Sequence, residues 1–144
     1  GGAALVLALV GKLALLTLLG EVSAVLACWA LFAAHVSSRW MPLVIIRSLP
    51  HVGDMAGSKS KPLADAISNS ALAVAALWWI GALVLLHGQQ PGVAWWGGVL
   101  GCGLGLLWMW RLLARRLQGF TGDGLGATQQ VCELGFYLGL LIAL

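Results

Sequence analysis

Apolar runs long enough to cross a lipid bilayer recur along the whole of this chain, and that recurrence decides what it can fold into. Five can be drawn: Ala3 to Leu19, interrupted only by Lys12; Val22 to Leu49, with His35, Ser37, Ser38 and Arg39 in its middle and Pro42 just beyond; Ala64 to Leu86; Val93 to Leu113; and roughly Gly124 to Leu144. Each is near the ~20 residues a helix needs to span the hydrocarbon core. Backbone groups in lipid must be bonded internally, which leaves helices or a closed barrel, and unalternated Leu/Ala runs do not build barrels. The expected fold is therefore all-α: a polytopic transmembrane helical bundle with about five spanning helices, forming a single integral-membrane domain over residues 1–144. The second run is long enough to be one tilted helix or two helices broken between Ser37 and Pro42. Composition agrees, since 60% of the residues are hydrophobic and 9% are charged, against about a quarter charged in a soluble domain. A signal peptide is confined to the N-terminus, whereas these runs continue to the last residue. The chain opens on Gly1-Gly2 without an initiator Met, and is expected to be a piece of something longer.

The few charges orient the helices. Lys59 and Lys61 lie between the second and third runs, and Arg111, at the end of the fourth, joins Arg115 and Arg116 at its junction with the fifth. Alternate crossings put both loops on one side, which the positive-inside rule makes cytoplasmic; Gly20-Glu21 and His87 to Gly92, on the other side, hold no Lys or Arg. The net charge of +3 comes from basic residues beside apolar runs, not from a dense basic stripe, so nucleic acid is excluded as a partner and membrane lipid is the expected one. Trp78, Trp79, Trp95, Trp96, Trp108 and Trp110 gather towards segment ends, as interfacial anchors do. Gly101, Gly103 and Gly105 are expected to permit close helix packing. Cys28, Cys102 and Cys132 are too far apart for metal-ligand spacing and read as small buried hydrophobes.

Charged residues inside a spanning helix face a bundle interior, a cavity or the interface. Arg47 is placed to snorkel to headgroups. Arg39 lies deeper, four residues from His35 on the same face with Ser38 beside it, and is suited to bind phosphate or to pair with a carboxylate; Lys12 is similar. The stretch HVGDMAGSKSKPLAD is an ordinary connector or, with Gly57 followed by Ser58, Lys59, Ser60 and Lys61, an anion-binding loop; it is not a P-loop. In TGDGLGATQQVCE, Asp123 or Thr121 caps a helix. At about 100° per residue Asp123, Gly126, Gln130 and Glu133 share a narrow arc, a carboxylate-lined entrance that would suit a hydrated Mg²⁺ and a substrate phosphate.

FTGDGLGATQQVCELGFYLGLLIAL resembles the C-terminal signature of the cobalamin synthase family, the adenosylcobinamide-GDP ribazoletransferases, whose usual form is TGDxLGAxxExxE. The resemblance extends upstream through SLPHVGDMAGSKSKPLAD, Ser38-Arg39 and Lys12, and covers essentially the whole chain. Gln129 or Gln130 stands where many members have the earlier Glu, and His51 and Gly53 where Tyr or Arg is common. The family's aspartate-rich motif, DGxADxxDG, is absent, so the resemblance implies the C-terminal half of a larger enzyme, inactive without its N-terminal half. It implies a multi-pass protein of the cell inner membrane that joins adenosylcobinamide-GDP to α-ribazole, or to α-ribazole 5′-phosphate, with release of GMP and with Mg²⁺ as cofactor. In that chemistry Asp123 and Glu133 are the expected catalytic and metal-organising residues. Arg39, Lys59, Lys61, Lys12, Ser38 and Thr121 are the expected substrate and phosphate contacts, at the cytoplasmic face. A small transporter or channel subunit is the competing class; it predicts polar residues through the membrane midplane, whereas most here gather at one side.

Overall fold

The computed structural model describes residues 2–52 and 67–144, and five long helices account for nearly all of them. They are α1 (Gly2–Val22), α2 (Ala24–Ser48), α3 (Asn69–Gln89), α4 (Trp95–Arg116) and α5 (Gly122–Ala143). The bundle is all-α, as the apolar runs require. Four of the helices, α1 to α4, are long and apolar enough to cross a membrane. The fifth has the length, but Thr128, Gln129, Gln130 and Glu133 dilute its first half. The long second run is one helix, not two: Pro42 sits inside α2, where it removes one backbone donor without ending the helix.

Caps fix the boundaries. Ser23 accepts from Leu26 N at the start of α2 and Ser68 from Ala71 N at the start of α3. Each satisfies one of the donors that a helix start leaves unpaired. Ser68 moves the start of α3 inward of the expected run, and the correction matters for its tryptophans. Trp78 and Trp79 lie at the middle of α3 rather than at an interface. Trp79 stacks on Trp40 of α2, ring centroids 4.8 Å apart and planes 7° from parallel, and donates through Nε1 to Ser37 Oγ at 3.0 Å.

The core lies where α2, α4 and α5 meet, around Ala30, Ala33, Ala34, Cys102, Cys132, Phe136 and Tyr137. Its tightest seam is antiparallel α4 on α5. Gly97, Gly101 and Gly105 recur every fourth residue on α4 and face Gly139, Gly135 and Val131–Cys132 on α5. A Cβ on Gly101 would strike the Gly135 carbonyl, and one on Gly139 the Gly97 carbonyl. This backbone-on-backbone packing is what small residues at four-residue spacing permit in membrane helices. Gly103 does not take part; open space surrounds its Cβ position. Helices α1 and α3 are peripheral, with one buried residue each, Leu19 and Leu86. Cys28 is exposed, whereas Cys102 and Cys132 are buried thiols.

Candidate functional site

The chain leaves α4 through a turn that ends in the signature stretch. Gln118 takes a left-handed backbone, φ 54°, which turns the chain back on the end of α2. Two backbone hydrogen bonds seat it there: Phe120 N donates to Pro50 O at 2.9 Å and Val52 N to Phe120 O at 3.0 Å. Phe120 is buried, its ring edge-on to His51 at 5.3 Å between centroids. Gly119 is needed for this approach, since a Cβ would collide with the Pro50 carbonyl and the Val52 side chain.

Helix α5 then begins. Thr121 is its N-cap, accepting from Gly124 N at 3.2 Å, so the choice between Thr121 and Asp123 falls to Thr121. Asp123 is left in the first turn with an exposed carboxylate. A negative charge there is favoured by the helix dipole. The turn therefore sets Asp123 beside the exit of α2, from which the sequence continues into the Gly57–Lys61 stretch. Lys59 and Lys61, expected as phosphate contacts, lie outside the described residues.

Glu133 is not beside Asp123. The two are ten residues apart on one helix, about 15 Å along its axis, so one cation cannot be ligated by both. Glu133, itself buried, is instead the centre of a polar cluster. Its Oε2 accepts from Lys12 Nζ at 2.7 Å and its Oε1 from Tyr137 OH at 3.1 Å, with His35 Nδ1 3.6 Å from Oε1. Both partners of the ion pair are largely enclosed, with 15% and 7% of the Lys12 and Glu133 side chains exposed. Lys12 and Glu133 each lie roughly 15 Å from the start of their helix, half the depth of a ~30 Å hydrocarbon core. A polar cluster thus does occupy mid-depth, where the sequence suggested few polar groups. It is self-satisfied, and Lys12 is committed to a carboxylate rather than held ready for phosphate.

The remaining candidates are dispersed. Ser38 is buried and donates to His35 O at 3.3 Å. Arg39 diverges from His35, exposed on the side of α2 that faces α3. The shared arc of α5 is real: Gly126 and Gln130 face α1 across a groove of about 690 Å³, above the Lys12–Glu133 pair. Its walls are otherwise apolar, with Gln130 the one polar side chain among those lining it. Such a surface does not suit a hydrated cation. Tyr137 was missed in the sequence, although its position four residues after Glu133, one helical turn, was the available signal.

Among the described residues no three His, Cys, Asp or Glu side chains converge into a metal cage. Mg²⁺ rarely uses one; it is commonly held by one or two carboxylates with water and substrate phosphates. Asp123, exposed and unburdened by capping, fits that use, and Glu133, with both oxygens engaged, does not.

The ion pair yields a test of its own. Breaking a buried pair costs about 3–5 kcal/mol, while replacing both members with neutral groups of similar volume is often tolerated. Glu133→Gln alone should therefore lower the detergent melting temperature sharply, and Lys12→Met with Glu133→Gln should recover most of it. Equal melting of the single variant and the parent would mean the pair contributes nothing to the fold.

A family model for cobalamin-5-phosphate synthase matches residues 1–141. An adenosylcobinamide-GDP ribazoletransferase of Polaromonas naphthalenivorans (strain CJ2) is 51% identical over 159 residues, which cover 100% of this chain and 56% of that protein. One of Albidiferax ferrireducens is likewise 51% identical, with 100% and 56% covered. One of Vibrio cholerae serotype O1 is 39% identical, with 98% and 52% covered. The chain thus spans about half the length of the curated relatives it matches. No solved structure matches it. A match that runs through the docked turn and nearly every helix places this chain in the cobalamin-5-phosphate synthase family.

Proposed function

We propose that this chain is the membrane-embedded C-terminal half of an adenosylcobinamide-GDP ribazoletransferase, working at the cytoplasmic face of the inner membrane. The observation that carries this reading is the seating of the Gly119–Asp123 turn on residues 50–52. It gathers the signature carboxylate and the entrance to the Lys59–Lys61 stretch at one end of the bundle. Arg47, Arg115 and Arg116 sit at that same end, the side that basic residues mark as cytoplasmic.

In the reaction, the acceptor hydroxyl of α-ribazole, or of its 5′-phosphate, bonds to the cobinamide-side phosphorus of adenosylcobinamide-GDP. The bond to GMP breaks, and the hydroxyl proton passes to a base outside this chain. Positioning and electrostatics supply most of the rate in such transfers. Lys59 and Lys61 would hold the non-bridging phosphate oxygens as point charges. Mg²⁺, when bound, would be held by Asp123 with substrate phosphate and water, and would neutralise the pyrophosphate and the departing GMP. Lys12, Glu133, Tyr137 and His35 position α1 and α2 against α5 and do not touch the reacting atoms. A transporter would use the mid-depth cluster as a path; against that stand its internal neutralisation and the family to which the chain belongs.

Two experiments bear on this. The purified full-length enzyme should release GMP and form adenosylcobalamin in equal amounts from adenosylcobinamide-GDP and α-ribazole, and the 144-residue chain alone should form neither. Turnover by the isolated chain would overturn the division of labour, and none by the full enzyme would overturn the reaction. For the orientation, Gln89→Cys should react with an impermeant thiol reagent from outside intact cells and Arg115→Cys should not; the reverse would invert the bundle.

A further inference from the structure

Arg39 lies well inside α2, and no hydrogen bond or ion pair to another described residue gives it a use. It is exposed, and among the described residues it meets no carboxylate. Arg47, at the end of α2, donates to Asn69 Oδ1 at 2.8 Å and marks the polar boundary. Arg39 lies eight residues deeper, about 12 Å below it. Snorkelling lets the stem lie along apolar surface while the head reaches towards water, but eight residues of helix separate Arg39 from that boundary. A guanidinium left facing hydrocarbon there is costly, and such residues face protein partners or cavities.

The surface around it is built for contact. Arg39 opens on a groove of about 400 Å³ between α2 and α3, walled by Val36, Trp40, Ala75, Trp78 and Trp79. Trp78 is 78% exposed at mid-helix, far from the interfacial belt where tryptophan is usually found. Beneath it, Trp40 Nε1 is buried without an acceptor.

We propose that the α2–α3 groove is a docking surface for a transmembrane helix from outside this chain, one that brings a carboxylate to Arg39. Charge complementarity sets the chemistry, because an acidic side chain is the neutralising partner a membrane helix has to offer at that depth. Among its described residues, a second copy of this chain offers no unpaired carboxylate at that depth. Of its five acidic residues, Glu21 is at the opposite end of α1, Asp123 is at the membrane face and Glu133 is already paired with Lys12, while Asp54 and Asp65 lie outside the described residues. The relatives, of whose length this chain covers about half, have further sequence from which such a helix can come. The inference rests on the membrane-spanning reading and not on the transferase reaction.

The test is photo-crosslinking in the full-length protein, in its native membrane, from a benzophenone-bearing residue in place of Trp78. That side chain makes no hydrogen bond among the described residues, so the replacement spares the fold. The expected product is a protein adduct whose mapped peptide carries Asp or Glu within about one helical turn of the crosslink. Arg39→Gln should lose most of that adduct. Adducts to phospholipid alone, to a second copy of this chain or to a helix without an acidic residue would each overturn the proposal, as would no adduct at all. An adduct yield unchanged by Arg39→Gln would remove the carboxylate from it.

Discussion

Gly101→Ala is expected to lower the melting temperature of the detergent-solubilised protein steeply, while Gly103→Ala, two residues away on the same helix, leaves it unchanged or slightly raised. The two substitutions are identical in helix propensity, and alanine is better than glycine by about 1 kcal/mol in a helix interior. Propensity alone therefore predicts stabilisation at both sites. The structure reverses the sign at one of them. A methyl at Gly101 has to enter the Gly135 carbonyl and approach the Gly139 backbone, and neither is the movable end of a side chain. Overpacking usually costs about 1–3 kcal/mol; with backbone on both sides of the contact, the upper end is expected for alanine and loss of the folded protein for Gly101→Val. A methyl at Gly103 meets nothing. Thermal unfolding of the three variants decides the matter, and equal behaviour of Gly101→Ala and Gly103→Ala would mean that α4 and α5 do not pack through their glycines.

That contrast shows where sequence reasoning stops. Gly101, Gly103 and Gly105 stand together in the sequence as one packing feature, but a helix turns about 100° per residue. Gly101 and Gly105, with Gly97 and Gly98, meet α5, and Gly103 does not. Which face is buried depends on the partner helix, and no local pattern supplies that. The long described helices were legible because bilayer thickness sets their length and the few polar interruptions, Lys12 and Ser37 to Arg39, leave each run mostly apolar. Helix ends were less so: Ser68 caps α3 inside the expected run, which carried Trp78 and Trp79 from an assumed interface to mid-helix.

The candidate site divides in the same way. The TGDGLGA turn could be singled out because glycines around a carboxylate are conspicuous within an apolar chain. Its docking on residues 50–52 was not visible, since those hydrogen bonds join backbone groups that any sequence possesses. Glu133 was read with Asp123 because the two share a helical arc. An arc fixes direction and ignores the axial rise of about 1.5 Å per residue, and ten residues of rise separate the roles. The true partner of Glu133 is Lys12, 121 residues away in sequence, a pairing that requires α1 to lie alongside α5.

Separating those roles gives Asp123 a sharp expectation. Because Thr121 caps α5, Asp123→Asn removes no cap and forfeits only a charge–dipole contribution of about 0.3–1 kcal/mol. Folding and membrane insertion should stay close to normal. What is lost is the negative charge that a cation coordinated by substrate phosphates requires. A single electrostatic contact of this kind is commonly worth on the order of 100-fold or more in turnover. Glu133→Gln should show the opposite balance, with stability falling more than the turnover of whatever protein remains folded. The decisive measurement is turnover of full-length Asp123→Asn across a Mg²⁺ titration, normalised to folded protein in detergent. The expected result is wild-type yield with a loss of about 100-fold at low Mg²⁺ that saturating metal only partly restores; wild-type turnover at every Mg²⁺ concentration would show that the docked turn is structural and that the reaction is organised elsewhere.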